Sequence, residues 1–167
     1  MQDDRDDPHR QTNTVILNQV QQPPPPSVLG TVLAATAGTT PIFVAALPEW
    51  GDHETTWRVV GCTEHTLFRV LAHKGVSDWY GSGERITRGE RENITSQVAP
   101  FGRILGATFE FSDMRGGGFG EERAGVTGTW RFFREGGDEI TVPTDARNET
   151  TREALRGVID AVLAAFR

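Results

Sequence analysis

Cys62 is the only cysteine of this 167-residue chain, and it shares the stretch GCTEHTLFRVLAHKG, residues 61 to 75, with two of the four histidines, His65 and His73. Thiolate and imidazole are the usual zinc ligands, and the two-residue gap between Cys62 and His65 is that of half a tetrahedral site. His73 or His53 would have to complete it. A structural zinc site usually shows two such pairs, and the chain has no second cysteine, so no metal is expected and Cys62, His65 and His73 are its weak candidates. The same residues suit nucleophilic catalysis, with Cys62 attacking and His65 or His73 as base. No G-x-S-x-G elbow offers a serine instead. The expected reading is a turn between two strands, with Cys62 a small buried thiol and Thr63 and Glu64 ordinary turn residues.

Other polar clusters suggest solvated loops. Glu121 with Glu122, and Asp138 with Glu139, are adjacent carboxylates in predicted turns. The glycines from Gly116 to Gly120 lack the G-x-G-x-x-G spacing and the G-K-[ST] ending of phosphate loops. Arg85, Arg88 and Arg91 alternate with Glu84, Glu90 and Glu92, which makes a roughly neutral face. Three aromatics fall in connections where interface residues concentrate: Trp50, beside acidic residues, and the pair Trp79 and Tyr80. With Arg58 they form the candidate binding set.

The formal charge of −6 and pI near 5.2 argue against a nucleic-acid partner, which requires a basic face to displace counterions. One cysteine excludes an internal disulfide, so a reducing, cytoplasmic compartment is expected. Of 17 basic residues only Lys74 is lysine, a bias that points to a GC-rich, bacterial source. No apolar run approaches the roughly 20 residues that span a bilayer, and the acidic start MQDDRDDPHR is unlike a secretory signal. No cofactor is expected.

The elements that must position these residues are mostly strands. Residues 1 to 30, with QQPPPPS, are polar and proline-rich and read as a disordered arm, with Pro23 to Pro26 a stiff spacer. The domain is expected over residues 31 to 167. TVLAAT and PIFVAALPE are candidate strands, the second ended by Pro48. TTWRVVGC and TLFRVLAH follow, then SDWYG as a short edge strand and NITSQVAP. ATFEFSD alternates, placing Ala107, Phe109 and Phe111 on one face. TWRFFREGGDEITVPT is a hairpin turning at Gly136 and Gly137, with Trp130, Phe132, Ile140 and Val142 inward. Leu155, Val158, Ile159, Val162, Leu163 and Phe166 then recur at helical spacing, giving one amphipathic helix over 150–166 with a Thr150–Glu153 capping box. The fold class is therefore mainly β (α+β), about seven antiparallel strands with one helix.

That order of elements resembles the pleckstrin-homology-like superfamily in its bacterial members. WRVVGCTEHTLFRVLAHKG is similar to their strand, turn and strand, ENITSQVAPFGRILGATFEF to the next hairpin, and WRFFREGGDEITVP to the hairpin before the helix. The resemblance covers residues 41 to 167 and implies a barrel of two near-orthogonal antiparallel sheets capped by the C-terminal helix. It implies a non-catalytic binding or scaffolding module for a protein or peptide, held on loop aromatics or by strand addition. Phosphoinositide binding is not expected. The segment ALPEWGDHETTWR, where the family's basic residues stand, carries Glu49, Asp52 and Glu54, with Arg58 at its far end. The alternatives are a small-molecule or lipid-binding barrel lined by Trp57, Phe68, Phe109, Trp130 and Phe132, and an enzyme using Cys62.

Overall fold

The computed structural model describes residues 7–77, 79–81, 92–115 and 125–166, without the side chains of 114, 115 and 125. The Arg85, Arg88 and Arg91 cluster, the glycines from 116 to 120 and the Glu121–Glu122 pair lie outside them.

Among the described residues seven strands form two antiparallel sheets. The first has the order β1 (Phe43–Trp50), β2 (Thr55–Cys62), β3 (Thr66–Lys74), β4 (Asn93–Pro100). The second has β5 (Ile104–Arg115), β6 (Gly125–Arg134), β7 (Glu139–Pro143). The sheets stay separate rather than closing into a barrel. Among the described residues three α-helices accompany them: α1 (Pro8–Val20), α2 (Pro26–Ala35) and α3 (Glu149–Ala164).

The strand-forming segments follow from their alternation. In β2, Trp57 and Val59 point to one face of the first sheet, and Val60 and Cys62 to the other; both sets are fully buried. A sheet buried on both faces needs two cores. The first core gathers Val44, Ala46, Trp57, Val59, Phe68 and Val70 under Ile16 of α1 and Val28 and Val32 of α2. The second gathers Ala45, Val60, Cys62 and Leu67 with Phe132, Ile140 and Val142 of the second sheet and Leu155, Val158, Ile159 and Val162 of α3. Gly61 allows β2 to lie close to Phe68, since a Cβ there would clash with that ring and with the Phe43 carbonyl. The β6–β7 turn needs Gly136 and Gly137, whose φ values of 99° and 87° suit glycine alone.

Several expectations are corrected. Pro8–Val20 and Pro26–Ala35 are helices, in place of the expected disordered arm and the expected strand at TVLAAT. Asp7 caps α1 by accepting from the His9 N–H, and Pro26 starts α2, where its missing N–H costs nothing. The composition is too poor to fold alone, but Ile16, Val28 and Val32, each fully buried, fold against the sheet. The single predicted helix is thus one of three. It starts one residue earlier than expected, and Asn148 caps it in place of Thr150, accepting from Thr151 N at 2.8 Å. β1 continues through Pro48 to Trp50, because Pro48 falls on the outer edge of the sheet, where no neighbouring strand needs its N–H. SDWYG is not a strand: its described residues fold back onto β2. The hairpin turns at Gly136 and Gly137 as expected, with Phe132, Ile140 and Val142 buried, Trp130 packed against them, and the pairs Trp130↔Val142 and Phe132↔Ile140 in register.

Candidate functional site

The structure separates the residues that the sequence grouped. Cys62 is fully buried, and burial pushes its thiol up to about 11, against a smaller lowering by a hydrogen bond from the Phe43 backbone. A thiol so placed is inert. His65 stands in the β2–β3 turn with its side chain 86% exposed, 3.8 Å from Glu64. Thr63 organises that turn by accepting from the backbone N–H groups of His65 and Thr66. His73 projects from β3 to Thr56, 3.2 Å away, and to Glu54, 3.8 Å away. No group of three His, Cys, Asp or Glu side chains is disposed to hold a metal ion among the described residues.

The aromatic candidates also part company. Trp79, expected on an exposed connection, is 1% exposed. Its carbonyl accepts the Trp57 indole N–H at 2.8 Å, and the Lys74 ammonium lies 5.5 Å from its ring centroid. The adjoining Gly81 N–H bonds to Pro23 O at 2.9 Å, so the proline run clasps this segment instead of standing free. Tyr80 packs half-buried against the same core. Trp50 alone of the three remains 37% exposed, meeting Trp57 edge to face at 6.2 Å.

Trp50 stands at the end of a groove of about 270 Å³. Ala46, Leu47 and Pro48 of β1 supply its apolar wall, and Gln19, Arg147, Asn148 and Thr151 its polar one. Gln19 is set there by α1. Its side-chain amide donates to Val44 O at 2.7 Å and accepts from Ala46 N at 3.0 Å, as a neighbouring strand would. Asn148 Nδ2 in turn donates to Gln19 O at 2.9 Å and ties α1 to the start of α3. The edge of β1 is thereby closed to strand addition at Val44 and Ala46, and Pro48 offers no donor beyond them.

A second concavity, about 250 Å³, opens between the sheets. Arg58 of β2 and Arg69 and Leu71 of β3 face Glu110, Thr129, Arg131, Thr141 and Pro143. The register Val60↔Arg69 and Arg58↔Leu71 makes Arg58 and Arg69 diagonal neighbours on one face. Arg69 Nη1 donates to Thr141 Oγ1 at 2.7 Å, which joins the sheets. Its guanidinium is held below its ordinary value by burial and then by repulsion from Arg58, partly countered by Glu139. Arg131 takes both nearby carboxylates, through Nε to Glu110 at 2.9 Å and Nη1 to Glu139 at 3.0 Å, and these bonds raise its pKa. Of this set only Arg58 was singled out from sequence. The signal for Arg69 is visible in hindsight: in TLFRVLAH it shares the parity of Leu67 and Leu71, so a charge sits on an inward face.

The aromatics expected to line a ligand-holding barrel do not enclose one interior. Trp57 and Phe68 belong to the first core, and Phe132 to the second. Trp130 stacks on Phe132 at 6.0 Å and meets Phe109 at 5.4 Å, and this row emerges at Phe109 and Phe111, both exposed. No helix of the described residues is long and apolar enough to cross a membrane. Comparison with protein-family models, curated proteins and solved structures finds no match for this chain.

Proposed function

We propose that the chain is a non-catalytic binding module, cytoplasmic and of pleckstrin-homology-like architecture, that takes a protein or peptide partner in the groove beside Trp50. Its split antiparallel sheets and C-terminal helix support the family reading, while α1 and α2 are additions to that plan. The observation that carries the function is the half-exposed Trp50 at an open groove with an apolar wall and a polar one. A large rigid aromatic at the edge of such a groove is the usual anchor of a protein contact. The enzyme reading loses its support with the buried, protonated Cys62.

The test is affinity capture from bacterial lysate with the full chain as bait, read by mass spectrometry for proteins and for small molecules. The expected result is a stoichiometric protein retained at moderate salt and lost with Trp50→Ala, at a cost of about 2 kcal/mol or more in affinity. Far-UV circular dichroism checks that the variant is folded. A partner held equally by Trp50→Ala, or a small molecule retained with no protein, overturns the proposal.

A further inference from the structure

The cleft between the two sheets has a charge arrangement that packing alone does not account for. Three arginines, Arg58, Arg69 and Arg131, line it, and the acidic groups beside it, Glu110 and Glu139, are both engaged by Arg131. Arg58 and Arg69 have no carboxylate within ion-pair distance among the described residues. A guanidinium carries five N–H donors. Arg69 spends one on Thr141 and Arg58 none on the described residues, yet both are half-buried and repel each other across adjacent strands.

We propose that this cleft is an anion site for a small dianionic phosphate group, held by the guanidinium forks of Arg58 and Arg69 with the Thr129 and Thr141 hydroxyls beside them. The cleft shares no lining residue with the Trp50 groove and does not depend on the role given to that groove. Its size decides the scale of the ligand. A concavity of about 250 Å³ is below the roughly 300–1,000 Å³ of pockets that enclose drug-sized molecules, so it suits one headgroup. The charge decides its type. A monocarboxylate has two oxygens and satisfies one fork, whereas a phosphate monoester carries about −1.5 to −2 charge and three acceptor oxygens, enough for two forks. Arg131 engages both Glu110, which also lines the cleft, and Glu139, so that their charge is offset before an anion enters.

The probe is inorganic phosphate, titrated into the uniformly ¹⁵N-labelled full chain at constant ionic strength, with chloride and succinate as parallel arms. The arginine Nε–Hε resonances and the melting temperature are followed together. The expected result is a saturable shift of the Arg58 and Arg69 resonances with a rise in melting temperature, and binding weakened about tenfold or more in Arg58→Gln. Arg58→Lys, which keeps the charge and loses the fork, should fall between. Arg69→Gln also removes the bond to Thr141 and can loosen the fold, so Arg58→Gln, which breaks no hydrogen bond to the described residues, carries the test. Shifts that rise linearly and equally with chloride, or that persist in Arg58→Gln, overturn the site. Tighter binding of succinate than phosphate overturns the phosphate assignment.

Discussion

The two faces of the four-stranded sheet are built from the same strands and end differently. On one, Trp57, Val59, Phe68 and Val70 are fully buried beneath α1 and α2, and Trp79 folds in at the end to accept the Trp57 indole proton. The other is dry only over part of its length. Cys62 and Leu67 are sealed against α3 and the second sheet, but toward the opposite end of the same strands Arg58 and Arg69 open into a cleft. The first face is covered by helices whose apolar side chains adapt to it. The second is met by a three-stranded sheet that packs on Leu67 of β3 and hydrogen-bonds to it from Arg69 to Thr141. A sheet partner leaves a wedge of space where helices do not, and polar residues collect in the wedge.

If that contrast is right, the closed face should be the more costly to disturb. Trp57→Ala removes a fully buried indole and orphans the Trp79 carbonyl; unfolding in urea should show a loss of about 3–5 kcal/mol. A loss below about 1 kcal/mol would mean that α1 and α2 are loosely held and the two faces are alike. The dry end of the second face is probed by pH. Because the folded Cys62 thiol titrates near 11, against an ordinary value of 9.0, the folded state binds more protons between these values and stability must fall as pH rises through that window. Relative to Cys62→Ala, which has no such group, the wild-type chain should lose about 2 kcal/mol from pH 9 to pH 11. Parallel curves for the two proteins would show that this end is wet as well. The smallest effect is expected at the β1 edge. Gln19→Ala removes two hydrogen bonds from the strand, and chemical denaturation should report a loss of about 1–2 kcal/mol. Hydrogen exchange of the Ala46 amide should quicken by more than the global loss explains, and an unchanged rate would show that Gln19 does not close the edge.

The Trp residues show how far a local reading extends. By sequence Trp50 and Trp79 both fall in short polar connections, and nothing in either segment distinguishes them. Trp79 is buried because Thr55, Lys74 and the proline run come to it from 24, 5 and more than 50 positions away. Gln19 is a similar case. It lies in a stretch whose composition reads as disorder, and its role depends on the edge of a strand 25 positions later.

β2 through β4, the β6–β7 hairpin with its glycines, and α3 are legible in the sequence, because alternation, turn chemistry and a helical stripe each show within a window of about a dozen residues. The expectation of Cys62 as a small buried thiol at a strand end agrees with its full burial. Packing makes Pro8–Val20 and Pro26–Ala35 helical, puts Trp79 in the core and Trp50 at the surface, and brings Arg58, Arg69 and Arg131 together. Each of these depends on what packs from elsewhere in the chain. Marginal helices acquire their stability from the face they bury, and a charge acquires its role from the groups that meet it across a cleft.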